Sequence, residues 1–424
     1  MSPARRLVLL DPGLSNGLGH HADVNRLLLP ALRQAGWQPE LWADVAADPG
    51  LAACLPGLRP LLRDAGYIDP RHWCDLAGCL HQAGLLRQQL EPIIAAGAPV
   101  EAWLAHSLLP FQLIALAQLL QCQPPARLLL SLMFAPGELF NGQGEHELQA
   151  QRQAAAAVSG AALAALALAV RRGGHQLRLA AGSRQLAARY APLCAASGLS
   201  EPELHPALTG SVSIADLDAG LAGAAPTGSR RILLHWGERK PDKGRELGLA
   251  VLERLLQRQP PPALAAVDWC FHACGSAPAE ESCLLQRAAA EPRLRILQEH
   301  QPRDAMLREL AGSDLVLLPY CPVAYAERSS GVLWLYGSAR LALGRPALVA
   351  GFPGSWLAEE APALGLGWVS LTPGASAEDL LEALAAALSA SEQAPAGWTP
   401  YGRSVLAESF PAWVVQCLAA DNLS

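Results

Sequence analysis

Lysine is almost missing from this chain: of 32 cationic side chains in 424 residues, only Lys240 and Lys243 are lysine. Charged residues are also few, at 17% against 51% hydrophobic. So apolar a chain buries a core and is neither a disordered segment nor an acidic solvating tail. A basic surplus is lacking too. The 32 cations face 38 acidic groups for a formal charge of -6, so no broad positive field exists to hold a nucleic-acid backbone by counterion release. No nucleic acid is expected as a main partner. Paired cysteines are absent: the ten cysteines stand singly, and the closest, Cys74/Cys79 and Cys270/Cys274, match no zinc-site spacing. They read as buried reduced thiols, and no metal is expected. Long apolar runs are missing as well. Ala154 to Val170 is alanine-rich, contains Ser159 and Gly160, and falls short of the roughly 20 residues of a membrane span, so it reads as a buried helix. Near the start, the run Leu7 to Leu10 stops at Asp11 and Pro12, too short for a secretory core. A cytoplasmic protein is expected.

Present instead is a long alternation of short apolar runs with helix-length segments. Strands are expected at Arg6 to Leu10, Pro39 to Ala43, Val100 to Ala105, Leu128 to Met133 and Leu177 to Ala180, the βαβ pattern of a parallel sheet. A second series runs through Ile232 to Trp236, Ala265 to Ala273, Leu294 to Leu297, Asp314 to Pro319, Ala347 to Val349 and Trp368 to Leu371. Between the two series, DLDAGLAGAAPTGS is small, Gly- and Pro-bearing and without an apolar period, as a linker is. The division expected is therefore a first domain at 1–215, a linker at 216–229, a second domain at 230–400, and a C-terminal helix at 401–424 crossing back to the first. Both domains are α/β with doubly wound parallel sheets, whose carboxyl ends, where open sheets bind ligands, would face each other across a cleft. Leu58 to Leu90 holds amphipathic stretches with Arg59, Arg63 and Arg71, as either a surface helix or a membrane-facing one would.

Both lysines fall in one loop, HWGERKPDKGREL, where the strand ending at Trp236 passes through Gly237 to a helix. In a sequence that otherwise writes its cations as arginine, a lysine beside an arginine suits a site needing a compact, movable ammonium as well as a rigid fork. Arg239 and Lys243 together would neutralise a diphosphate, whereas Lys240 reads as solvated. A second segment, PYCPVAYAERSSGVLWLYGSARLALG, follows a buried strand and opens a helix at Ser329, Ser330 and Gly331. Unpaired amides and the positive end of the helix dipole stabilise an anion there, and serine hydroxyls either cap the helix or bond a phosphate.

After the first strand comes DPGLSNGLGHHADVN. Gly13, Gly17 and Gly19 allow the backbone close to a ligand, but the spacing is not that of a dinucleotide fingerprint. A helix is expected from near Ala22. His20 and His21 stand at its start, where an imidazole bonds a sugar hydroxyl or acts as a base. His106, in AHSLLPF after the third strand, belongs at the same sheet edge. His72, His81, His175, His205 and His272 show no metal-site spacing and read as structural.

In order and spacing these segments resemble the GT-B superfamily of nucleotide-sugar glycosyltransferases, most closely its group 1 / family 4 type. GERKPDKG is similar to that family's G-x-R-x-x-x-K-G, whose Arg and Lys bind the donor diphosphate. RSSG before LALGRPALV resembles its donor-binding helix start, AAGSRQLAARYAPL with Ser183 the segment closing its first domain, and GLGHHADVNRLLLPAL its first glycine loop and helix. Two departures stand out. The family carries two glutamates with seven residues between them, but counting back from Gly344 the positions hold Gly331 and Ala339, leaving Glu327 on the preceding loop as the nearby carboxylate. Met133 and Phe134 also stand where members often place a polar, sugar-contacting residue.

The resemblance implies an enzyme that moves a sugar from a nucleotide diphosphate sugar to an acceptor hydroxyl, with retention and without a metal or other cofactor. The donor would be held by Arg239, Lys243, Ser329, Ser330, Gly331 and Glu327, and Gly17, Gly19, His20, His21 and His106 would serve the acceptor or sugar. Arg239, Lys243 and His20 are the expected catalytic groups, His20 or His21 acting as base should the reaction invert. The acceptor, whether saccharide, lipid-linked glycan or small molecule, is not specified, and contact with a membrane surface is compatible with the chain. Two other readings are a GT-B-shaped nucleotide-sugar epimerase and a catalytically silent sugar-nucleotide binding subunit.

Overall fold

The computed structural model describes residues 5–17, 20–62, 75–136, 145–206, 229–237, 241–257, 260–275, 277–390 and 409–419. The chain divides into two compact units, Met1–Leu208 with Glu408–Ser424, and Thr209–Ala407. Most of the expected linker lies outside the described residues, as do Arg239 and Gly19 among the expected site residues.

In the first unit β1 (Arg5–Asp11), α1 (His20–Gln34), β2 (Trp37–Asp44), β3 (Leu58–Leu62), α2 (Leu76–Ala95), β4 (Ala102–Ala105), α3 (Pro110–Leu120), β5 (Arg127–Leu132), α4 (Glu145–Gly173), β6 (Gln176–Ala181), α5 (Arg184–Ser197) and β7 (Glu203–Leu204) follow in turn. The strands form one sheet in the order β3-β2-β1-β4-β5-β6-β7, and their pairings are parallel. β1 shows why its sequence is an unbroken apolar run. Leu7 and Leu9 enter the core on one face while Val8 and Leu10 enter the core on the other, since crossover helices cover both sides of a parallel sheet. Trp42 and Trp103, both wholly buried, meet edge to face at 6.0 Å.

Three expectations are corrected here. Leu58–Leu62 is an edge strand, not part of an amphipathic helix; its five residues gain backbone partners from β2, which local periodicity does not register. α1 begins at His20, so both neighbouring histidines sit in its first turn. The thiols are not uniformly buried either: Cys54, Cys122 and Cys283 are exposed, and the described cysteines are free. Gln153–Gly173 of α4 is long and apolar enough to cross a membrane, yet Val158, Ala162, Leu163, Leu166 and Ala169 are buried in the core shared with α3.

The second unit repeats the plan. β8 (Arg231–Gly237), α6 (Arg245–Gln257), β9 (Asp268–Ala273), α7 (Ala279–Ala289), β10 (Leu294–Leu297), α8 (Arg303–Ala311), β11 (Leu315–Leu317), α9 (Gly331–Ala342), β12 (Leu348–Gly351), α10 (Trp356–Leu364), β13 (Gly367–Ser370) and α11 (Ala377–Ala390) build a parallel sheet ordered β10-β9-β8-β11-β12-β13. Arg340 on α9 fastens the back of this sheet through Asp314 at 3.1 Å and the Ala311 carbonyl. The last described helix, α12 (Ser409–Ala419), belongs to the first unit. Its Phe410, Val414, Cys417 and Leu418 complete the core on the α1 side.

Strand order reverses between β1 and β4 in one sheet and between β8 and β11 in the other. Crossovers leave such a switch point in opposite directions, opening a crevice at the carboxyl ends. Leu10 pairs with Ala105, so Asp11 and His106 follow side by side. Leu234 pairs with Leu317, which places the lysine loop and the loop leading to Ser329 at the second crevice.

Candidate active site

At the first switch point Asp11 is wholly buried and collects three side chains. His21 Nδ1 lies 2.6 Å from its Oδ1, Asn25 Nδ2 donates to its Oδ2 at 2.6 Å, and His106 Nε2 approaches Oδ2 at 3.2 Å. The His106 contact is close but not aligned as a hydrogen bond, and both ring nitrogens of this fully buried side chain lack an aligned partner. An unpaired buried polar group costs about 1–3 kcal/mol, which a fold retains where something else meets it. Burial by itself would push the Asp11 carboxyl up, but the imidazoles of His21 and His106 outweigh it and hold the group well below the usual carboxylate range. For His21, burial works downward and the Asp11 charge and hydrogen bond win, raising it.

His20 stacks on His21 with ring centroids 4.1 Å apart. Burial, then His21 and His106, push it well below the ordinary histidine value, so it stays neutral beside the charged pair. Two adjacent histidines are thus driven apart, one toward the cation and one toward the free base. Gly13 is required for this arrangement: a Cβ there would overlap the His21 ring. Gly17 is under no such demand, since its Cβ would meet only Leu51 at 3.8 Å. Met133 and Phe134, by contrast, pack at the margin of the core.

At the second switch point the turn Pro241–Lys243 follows β8, and two loops distant in sequence are tied together there. Cys321 N donates to the Asp242 carbonyl at 2.8 Å, and Arg328 Nη1 pairs with the Asp242 carboxylate at 2.9 Å. Gly244 adopts a positive φ of 74° and lies against the Pro319 carbonyl. Lys243 stands over Gly237, where a Cβ would come within 3.0 Å of its Nζ.

Behind Lys243 the rim is lined with polar side chains. His235 Nδ1 lies 2.8 Å from the Tyr320 hydroxyl, which is itself hydrogen-bonded to Ser330. His272 stacks on His235 at 4.8 Å and meets Cys274 Sγ at 3.2 Å, leaving its buried Nδ1 without a partner. Burial, then the charges of His300 and Lys243, bring His272 down to about 4, and burial with His272 and Lys243 lowers His235 further. Both imidazoles are therefore neutral at pH 7, and among the described residues Lys243 on this turn and Arg328, paired with Asp242, bring formal positive charge here.

α9 starts at Gly331, and Ser330 is buried at its head, its carbonyl accepting from Leu333 N and Trp334 N. Ser329, Gly331 and Glu327 are half-buried on the same loop. Lys243, Glu327, Ser329, Ser330 and Gly331 thus share one rim, while His20, His21, His106 and Gly17 belong to the first unit's rim.

Sequence reading missed Asp11, which ends β1 like any strand-terminal polar residue. His272, read as structural, packs on His235 and meets Cys274 Sγ. Of the other histidines so read, His175 fits: its ring bridges Ala126 N and the Leu120 carbonyl at 3.1 and 3.0 Å. His205 pairs with Ser131 at 2.8 Å.

No family model matches the chain, and no curated protein matches it in sequence. Solved structures do match in three dimensions. The apo structure of OtsA superposes with a TM-score of 0.62 at 13% identity, covering 99% of this chain and 100% of that one. Sucrose-phosphate synthase from Thermosynechococcus elongatus gives 0.61 at 16%, covering 97% and 96%. HepE from Anabaena, in complex with UDP, gives 0.54 at 14%, covering 98% of each chain. At such identities the likeness concerns architecture, and the chain has the GT-B fold, with two Rossmann-like parallel-sheet units.

Proposed function

We propose that this protein is a glycosyltransferase that moves a sugar from a nucleoside diphosphate sugar to an acceptor hydroxyl, with retention and without a metal at the diphosphate. The observation that carries this reading is the joining of the lysine turn to the loop that opens α9, through Asp242, Cys321, Arg328 and the Gly244–Pro319 contact. A pyrophosphate needs cations and unpaired amides within a few ångströms of each other, and this junction supplies both on a rigid support.

Breaking the sugar–phosphate bond builds negative charge on the departing diphosphate and positive charge on the sugar. Lys243 and the head of α9 meet the former without reorganising at the moment of reaction, joined by Arg239 on the basis of the sequence resemblance. Ser329 and Ser330 offer hydroxyls to the phosphates, and Glu327 a carboxylate to the sugar part. Neutral His235 and His272 add no full charge beside the Lys243 ammonium. In a retaining transfer the leaving phosphate takes the acceptor proton. Should the reaction invert, His20 is the base, since it remains unprotonated above the Asp11–His21 pair.

Two of the similar structures hold UDP or UDP-2-fluoro glucose, so uridine nucleotides are the first to try. Thermal-shift titration with uridine, UMP and UDP, followed by UDP-sugars, tests the reading, because a ligand that binds only the folded state raises stability by mass action. Stabilisation that grows with each phosphate is expected. Equal response to uridine and to UDP would refute a diphosphate grip, and UDP binding with no sugar transfer across an acceptor panel would refute the transferase.

A further inference from the structure

The buried cluster of the first unit goes beyond what sugar transfer requires. We propose that Asp11, His21 and His106 form a binding site for one divalent transition-metal ion, with zinc the ion whose ligand preferences they fit.

The three donors come from three different elements meeting at one switch point: the end of β1, the first turn of α1 and the residue after β4. One carboxylate oxygen and one ring nitrogen from each histidine lie within 4.8 Å of one another. Zinc takes nitrogen and oxygen ligands at about 2.0–2.2 Å, so tetrahedral neighbours stand roughly 3.3 Å apart. The observed separations, 2.6 Å for Asp11–His21 and 3.2 Å for Asp11–His106, lie just below that value.

What the protein's own contacts leave unexplained points the same way. An Asp11–His21 pair accounts for two of the three side chains. It leaves His106, wholly buried and turned toward the carboxylate at 3.2 Å, without an aligned hydrogen bond at either ring nitrogen. A metal at this point is coordinated by Nε2, the nitrogen facing Asp11. Asn25 then acts as an outer-sphere partner, its Nδ2 already fixing the second carboxylate oxygen at 2.6 Å, a role that orients ligating carboxylates in metal sites. His20, half-buried with its ring centroid 4.1 Å from that of His21, is the neighbouring imidazole that would serve as a fourth ligand or as the partner of a bound water. Two histidines with one carboxylate suit zinc or another late first-row divalent ion, not magnesium or calcium, which prefer oxygen ligands throughout. Because the donors span β1, α1 and β4, an ion there would lock the first crevice; the diphosphate grip of the second unit uses other residues.

The test uses the full chain without nucleotide or sugar, so its result is independent of the transferase reading. Protein stripped with a chelator is titrated with Zn2+ by calorimetry and with Co2+ by visible absorption. Expected are one equivalent of tightly bound ion, a nitrogen/oxygen-type cobalt spectrum, a chelator-reversible rise in melting temperature, and binding weakened by at least about tenfold in Asp11→Asn and His106→Gln. The cobalt spectrum of the unaltered protein keeps the test decisive if either variant fails to fold. The absence of stoichiometric uptake overturns the proposal. So does uptake that survives both substitutions, or a thiolate-to-cobalt band, which would place the ion on the cysteines.

Discussion

Gly244 touches Pro319 so closely that a Cβ at 244 would overlap the proline carbonyl oxygen. This contact fixes the distance between the lysine turn and the loop that opens α9, and it arises only because φ at 244 is 74°. Gly244→Ala therefore combines a left-handed backbone with a steric clash. A loss of about 2–4 kcal/mol in stability is expected, read from urea unfolding, with UDP stabilisation reduced further in whatever fraction remains folded. A variant as stable as the parent that still binds UDP would break the link between this contact and the site.

Lys243→Ala should leave the melting temperature of the ligand-free protein nearly unchanged, since the side chain is half-buried at a rim and not in the core. Hydrogen bonds to charged groups contribute about 1.5–3 kcal/mol, so UDP affinity should fall by about 10- to 100-fold while uridine affinity barely moves. Calorimetric titration with both ligands distinguishes loss of the diphosphate contact from general damage.

Glu40 gives a stability prediction with a definite sign in pH. Burial raises its carboxyl, but hydrogen bonds from Arg6, Arg59 and Trp42 outweigh this and bring it from 4.5 down to about 2. A carboxyl depressed on folding contributes stability that is fully present above its unfolded value and is lost as pH falls from about 4.5 toward about 2. The group is partly solvated, so the contribution is about 1–2 kcal/mol and not the full shift. Glu40→Gln should lower stability by that amount at pH 7 and flatten the decline between pH 5 and 3 of roughly that range, which denaturant titration at several pH values measures.

His205 joins the second half of the first sheet to the returning C-terminal helix. Its Nε2 lies 2.8 Å from Ser131 Oγ, and its ring meets Phe410 at 5.4 Å and Trp413 at 5.8 Å. His205→Ala should cost about 2–3 kcal/mol through the lost aromatic contact and the stranded hydroxyl. Burial holds this imidazole to about 4, so its NMR resonances should stay those of the neutral ring throughout pH 5–8 by comparison with an ordinary value of about 6.5.

The alternation of buried strands with helices was legible residue by residue because a parallel strand covered on both faces must be apolar throughout, as Leu7 to Leu10 and Ile232 to Leu234 are. The lysine turn was legible for a different reason, its composition: two lysines in a chain of arginines. The edge strand Leu58–Leu62 was not, because its character comes from hydrogen bonds to β2 and not from its own period.

Local sequence by itself decided which buried segments become strands and helices, the edge strand Leu58–Leu62 apart, and where the cations fall along the chain, since those depend on side-chain periodicity and on chemistry within a few residues. Only the tertiary structure decided which of those points meet. Asp11 acquires His21 and His106 from a helix and a strand that the β1–β4 register brings alongside it, and His272 becomes a neighbour of Lys243 because β9 pairs with β8. Burial and proximity across the sheet, not the residues' order, then set which histidine carries a proton and which nitrogen is left without a partner.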